Sequence, residues 1–212
     1  MIVNVIVAII IAYLLGSIPF AYIAGRLKKG VDIRQVGSGN MGALNAMHEV
    51  GAAIGYAVWA ADIAKGLLAV YVAQWLGLSL TWVLVTGFAV VAGHNWPVFL
   101  GFRGGKGGAA AMGVFLALVP QEFGISFGIT VVVVLITSNP SLGLGIGMAF
   151  LPLFIWLFGG SSVLIIYPIV LLSLFVGVRY LSAGLKKAAA GENIKKGLII
   201  NREYHWWQSR KR

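Results

Sequence analysis

Seven long apolar runs fill most of the chain, near residues 2–24, 51–73, 78–92, 107–119, 123–137, 142–158 and 163–180. A helix needs about 20 apolar residues to cross the hydrocarbon core of a bilayer. Runs nearer 15 residues imply tilt or burial among neighbouring helices. Charge is correspondingly scarce: 10% of the 212 residues, against about 25% in soluble domains. So few hydrated side chains cannot cover a globule, which excludes a soluble enzyme, a disordered chain and a free nucleic-acid binder. The expected fold is an all-α integral membrane protein of about seven transmembrane helices. A membrane domain over 1–185 is followed by a basic, aromatic-ended cytoplasmic tail over 186–212.

The charges orient this bundle. No basic residue precedes the first run, whose nearest cation is Arg26, and no small-residue cleavage site follows it. It reads as a retained helix with its N-terminus outside. Alternating loops then put fifteen of the sixteen basic residues inside, in three groups: Arg26 to Arg34, Arg103 with Lys106, and the tail from Arg179. The outer connections near 74–79, 120–122 and 159–162 hold none, as the positive-inside rule requires. The sixteenth, Lys65, lies in the second run one helical turn from Asp62. Such a pair is expected to compensate its own charge within the membrane. The net charge of +10 therefore points to headgroups and anionic substrates and not to nucleic acid.

Three inner connections carry more glycine and polar residues than a link requires. The first is Val36-Gly37-Ser38-Gly39-Asn40-Met41-Gly42-Ala43-Leu44-Asn45. The second runs from Gly93-His94-Asn95-Trp96-Pro97 to Gly101-Phe102-Arg103-Gly104-Gly105-Lys106-Gly107-Gly108. The third is Ser138-Asn139-Pro140-Ser141. Gly37, Gly39 and Gly42 match a dinucleotide fingerprint by letter, yet no βαβ unit can follow them here. Glycines do let backbone amides approach an anion, and a helix start adds favourable partial charge. Phosphate cradling is the preferred reading of this loop. Lys106, flanked by four glycines, adds a cation to the same argument. It is not a P-loop, because position 100 is Leu and Gly107 stands where Ser or Thr would hold magnesium.

Other patterns carry less. Gly124-Ile125-Ser126-Phe127-Gly128 copies a nucleophile elbow but sits in an apolar run, where small residues pack helices together. None of His48, His94 and His205 has an Asp five positions on, so the His-x4-Asp acyltransferase box is missing. His94 is expected to make a structural hydrogen bond at a helix end. The absence of cysteine removes disulfides, thiolate metal sites and a cysteine acyl-enzyme. No cluster has metal-ligand spacing, and neither metal nor cofactor is expected.

Together, Gly16-Ser17-Ile18-Pro19-Phe20, Val36-Gly37-Ser38-Gly39-Asn40 and Gly93-His94-x-x-Pro97-Val98-Phe99-x-Gly101-Phe102-Arg103-Gly104-Gly105-Lys106-Gly107 resemble the bacterial acyl-phosphate-dependent glycerol-3-phosphate acyltransferases. The resemblance implies a seven-helix inner-membrane enzyme with cytoplasmic motifs. It would transfer a fatty acyl group from acyl phosphate to glycerol-3-phosphate, giving lysophosphatidic acid and phosphate. It implies catalytic roles for Ser38, Lys106 and Ser141. Gly37, Gly39, Asn40, Asn45, His48, Arg103, Gly104, Gly105 and Gly107 would bind substrate. Acyl phosphate, glycerol-3-phosphate and membrane lipids are its implied partners, with no nucleic acid or protein partner.

Two strings depart from that pattern. The family's Thr-Asn-x-x-Arg reads Leu44-Asn45-Ala46-Met47-His48, which puts His48 in the slot of a phosphate-binding arginine. Its closing His-Arg-Glu-Asn-Ile reads Arg179-Tyr180-Leu181-Ser182, with Glu192-Asn193-Ile194 resembling its second half further on. The alternatives are a relative with another anionic acceptor, a lipid-precursor binder without turnover, and a small anion transporter.

Overall fold

A computed structural model describes residues 2–158 together with 169, 170, 172, 173 and 176. The described residues are helical apart from turns and loops. The chain divides into two units, Met1–Leu118 and Val119–Arg212.

In the first unit, the opening apolar run is two helices where one was expected: α1 (Ile2–Ser17) and α2 (Phe20–Lys29). Pro19 explains the break, since it has no N–H and disfavours helix in the residue before it. α2 ends with Arg26, Lys28 and Lys29 in its last turn, where cations suit the helix dipole, and Gly30 closes it in the left-handed region. The first polar connection runs into α3 (Ala43–Glu49), a seven-residue helix that no apolar run announced. α4 (Ala52–Trp75) and α5 (Leu80–Asn95) follow, then a 3-10 turn at Val98–Leu100 and α6 (Gly108–Leu118).

These helices pack through glycine. A Cβ on Gly93 of α5 would collide with the Tyr13 carbonyl of α1, and one on Gly16 with the Val90 carbonyl. α4 and α6 meet in the same way through Gly66 and Gly113. In lipid no hydrophobic force drives helices together, so close backbone approach must supply the dispersion contacts. α6 has 11 residues, and at 1.5 Å per residue it covers about half the hydrocarbon thickness. Most of its residues are buried.

In the second unit, residues 120–122 were expected as an outer loop. They form instead the first turn of α7 (Pro120–Thr137), where proline lacks only an N–H that would have no partner anyway. α8 (Pro140–Phe158) packs on α7, and Ser126 donates a buried hydrogen bond to the Gly147 carbonyl. Of the elbow-like string only Ser126 packs into this contact as expected; Gly124 and Gly128 are exposed, with open space where a Cβ would stand.

Four helical stretches among the described residues are long and apolar enough to cross a membrane: Ile2–Lys29, Ala52–Trp75, Leu80–Leu100 and Pro120–Thr137. Two shorter apolar helices accompany them, Gly108–Leu118 and Leu142–Phe158. Most of the seventh expected run, the 179–182 and 192–194 strings and the boundary at residue 185 lie outside the described residues.

Candidate active site

The first polar connection stands on a small apolar core. Ala21 of α2, Ile33, Met41, Ala46 of α3 and Val58 of α4 pack together beneath it. Asn45, buried on α3, organises the loop above. Its Nδ2 donates to the carbonyls of Ile33 at 2.9 Å and Val36 at 3.1 Å, while its Oδ1 accepts the Ser38 N–H at 2.9 Å. Gly37 and Gly39 both hold positive φ, at 56° and 66°, which a residue with a Cβ adopts at a cost. A side chain on Gly37 would also strike the Asn45 amide and the Glu49 carboxylate. Ser38 and His48 are exposed, and Asn40 is half-buried.

The second connection is tied to the end of α5. The last carbonyls of a helix have no partner within it. Here Gly105 N–H donates to the His94 carbonyl at 3.0 Å and Gly104 N–H to the Asn95 carbonyl at 3.2 Å. Gly107 has φ +80°, beside the Asn95 side chain. Lys106 is half-buried between Gly105 and Gly107, which are both buried, and Arg103 is exposed. Phe102, also exposed, is one of two non-glycine residues with positive φ among those described, at 62°.

The amide cradle expected from these glycines takes a different form. The N–H groups of Ser38, Gly39, Gly104 and Gly105 point inward, to Asn45 Oδ1 and to the carbonyls of Val36, Asn95 and His94. They rigidify the loops and are not aimed at a ligand. Ser38 Oγ accepts the Asn40 N–H at 3.4 Å, Lys106 is half-buried, and α6 opens at Gly108, where a helix leaves its first N–H groups without partners of its own. Asn45 likewise has its amide engaged by backbone, so it shapes the loop from beneath.

The two connections meet. A Cβ on Gly105 would lie 2.9 Å from the Met41 carbonyl and would run into His94 Nε2. Arg34 Nη1 donates to the Leu100 carbonyl at 3.4 Å. Arg34 also grips Asp32, with Nη2 to Oδ2 at 2.7 Å and Nε to Oδ1 at 3.0 Å. These side-chain hydrogen bonds pull the Asp32 carboxyl down to about 2 against the opposing effect of burial. Neither Asp32 nor its contact with Arg34 was singled out in the sequence; the i, i+2 spacing was the available signal. The third connection belongs to the second unit. There Asn139 caps α8, its Oδ1 accepting the Leu142 N–H at 3.1 Å, which puts Ser141 in the first turn of that helix.

The Asp62 and Lys65 pair forms as expected, 2.7 Å apart and nearly fully buried. His94 was expected to make a structural contact, and its Nδ1 lies 3.4 Å from the same Asp62 oxygen. A pocket lined by Ser17, Met41, Asp62, Lys65, His94 and Pro97 adjoins the break at Pro19.

Residues 6–187 match the family described as glycerol-3-phosphate acyltransferase. The chain belongs to this family. It is 41% identical over 206 residues to glycerol-3-phosphate acyltransferase 1 of Dehalococcoides mccartyi, covering 94% of this chain and 96% of that one. It is 39% identical over 188 residues to the glycerol-3-phosphate acyltransferase of Thermoanaerobacter sp., covering 89% and 93%. Its fold is similar to the crystal structure of PlsY (YgiH), an integral membrane glycerol 3-phosphate acyltransferase, in its glycerol 3-phosphate form. The TM-score is 0.80 and the identity 33%, over 89% of this chain and 94% of that one. The lysophosphatidic acid form of the same protein matches at a TM-score of 0.79. The family match thus spans most of the chain.

Proposed function

We propose that this protein is a membrane acyltransferase that moves a fatty acyl group from acyl phosphate to glycerol-3-phosphate, releasing lysophosphatidic acid and inorganic phosphate. The observation that carries the reading is the meeting of the Met41 carbonyl with Gly105, which joins the Ser38 and Lys106 connections in a chain of this family. The acceptor hydroxyl attacks the acyl carbonyl carbon, the bond from that carbon to the phosphate oxygen breaks, and the hydroxyl proton passes to a phosphate oxygen. Acyl phosphate is already activated, so no acyl-enzyme is required.

In this reading Lys106 and the first turn of α6 neutralise charge on the phosphoryl group and on the developing oxyanion. Ser38 contributes a hydroxyl to the substrates, and the catalytic role of Ser141 is proposed from the family pattern alone. Gly37, Gly39, Gly104, Gly105 and Gly107 let the backbone come close, and Asn45 keeps the first loop in shape. Asn40, His48 and Arg103 contact anionic groups of the substrates. The chain is read as seven spans, with the N-terminus outside and the C-terminus and active site at the cytoplasmic face of a bacterial inner membrane. A domain over 1–185 carries the reaction, and a tail over 186–212 lies at the headgroups.

The deciding experiment incubates purified protein with palmitoyl phosphate and glycerol-3-phosphate and follows phosphate and lysophosphatidic acid. Equal amounts of the two products are expected. Binding of both substrates without lysophosphatidic acid would overturn the reading.

A further inference from the structure

Asp62, Lys65 and His94 are almost completely buried, at 2%, 3% and 7% exposure. Two ionisable groups inside a membrane helix are costly, and mutual neutralisation alone explains only why the pair is tolerated. Its surroundings have more structure than that. Lys65 Nζ also donates to the Ile18 carbonyl at 3.2 Å, at the break between α1 and α2, and stands 5.6 Å from the centre of the Phe20 ring. On the other side, Asp62 Oδ1 faces His94 Nδ1 at 3.4 Å, and the opposite ring nitrogen, Nε2, abuts Gly105. The backbone of His94 holds the same glycine from a second direction, its carbonyl accepting Gly105 N–H at 3.0 Å. Gly105 is the residue before Lys106.

We infer that Asp62, Lys65 and His94 are positioning residues that fix the Gly104–Gly107 loop, and with it the Lys106 ammonium, from beneath. The inference rests on the reading above in which Lys106 meets substrate phosphate. Nδ1 stands against an Asp62 oxygen that Lys65 itself clamps, so the ring is placed by the buried ion pair. The ring then forms the floor on which Gly105 rests, which is why a Cβ cannot be accommodated there. Two helices, α4 and α5, and the break between α1 and α2 thereby converge on the residue next to the proposed catalytic cation. None of the three side chains needs to touch substrate.

The test compares His94→Ala with His94→Asn, whose amide N–H is borne, like Nδ1, by the atom next to Cγ. Removing one partner of the ion pair alone would leave a buried charge and threaten folding. The double variant Asp62→Leu with Lys65→Met removes both charges together. Each protein is purified in detergent, checked for an unshifted thermal midpoint, and measured by hydrogen exchange and by steady-state kinetics. For His94→Ala and for the double variant, amides in Gly104–Gly107 should exchange about 10-fold faster or more while those of α4 keep their protection. A floor displaced by about 1 Å should lower kcat about 10- to 100-fold. The KM for glycerol-3-phosphate should stay within about threefold, because the lost interaction acts in the transition state. His94→Asn should restore most of the protection and of kcat. Unchanged exchange in the folded variants would overturn the inference, as would faster exchange with normal kcat. Faster exchange together with full activity of Lys106→Ala would instead uphold the loop's support and sink the assignment of Lys106.

Discussion

Asn45 and Ser38 are joined side chain to backbone: Asn45 Oδ1 accepts the Ser38 N–H at 2.9 Å while the same amide donates to two carbonyls of the loop. One buried side chain thus closes three hydrogen bonds around the turn that presents the serine hydroxyl. Asn45→Ala removes the partner of three backbone groups at once, each unmet group costing about 1–3 kcal/mol when buried. The expected result is a lower thermal midpoint and at least ~10-fold slower turnover of palmitoyl phosphate, the scale of loss from misplacement. Asn45→Asp, which keeps the acceptor and loses the donor, should fall between the two.

Lys106→Ala should cut turnover by at least ~100-fold, the range for loss of preorganised charge stabilisation. Product formation with palmitoyl phosphate and glycerol-3-phosphate measures it directly. Full activity would remove Lys106 from the reaction.

His48 lies in the last turn of α3 as an exposed residue in the slot where the family pattern has an arginine. A neutral imidazole is a weaker anion ligand than a guanidinium, which offers a fixed fork of donors. His48→Arg should lower the KM for glycerol-3-phosphate. An unchanged KM would mean that the acceptor binds elsewhere.

Asp32 titrates about 2 in the folded chain against an ordinary 3.8, because Arg34 hydrogen-bonds its carboxylate. A depressed carboxyl pKa stabilises the fold above the unfolded value, and that contribution fades as pH falls from about 4 toward 2. Asp32→Asn should therefore lower stability at pH 7 by about 1 kcal/mol, a modest figure because Arg34 is partly solvated. It should also flatten the acid side of the curve of thermal midpoint against pH. Arg34→Met should do the same and, by freeing Leu100, loosen the second connection.

Gly113→Ala and Gly66→Ala each drive a methyl group into a backbone carbonyl across the α4–α6 contact. Overpacking of this kind costs about 1–3 kcal/mol, and both should lower the yield of folded protein and its thermal midpoint. Gly124→Ala is the matched control: nothing lies within 4 Å of its Cβ position, and it should behave as wild type.

The apolar runs made most of the helices legible, since length and composition alone decide which segments a bilayer accepts. Pro19 was equally visible, but its break is absorbed by Lys65, which is 46 residues further on and reaches the Ile18 carbonyl only in three dimensions. α3 was hidden because seven residues with Gly51 close behind have no detectable periodicity. In the two glycine-rich connections the sequence did not show that the N–H groups of Ser38, Gly39, Gly104 and Gly105 find acceptors within the protein. Glycine permits close approach to any acceptor, and here the acceptors are carbonyls of the protein itself. The Asp62–Lys65 pair could be read from its i, i+3 spacing, whereas the approach of His94 depends on how α4 and α5 cross.

The bonds from Gly104 and Gly105 to the end of α5 also change what binding costs. A glycine-rich segment free in solution would lose much conformational entropy on wrapping around a phosphate. Here that entropy is surrendered once, during folding, so each arriving substrate meets a surface already set and gives up only its own freedom.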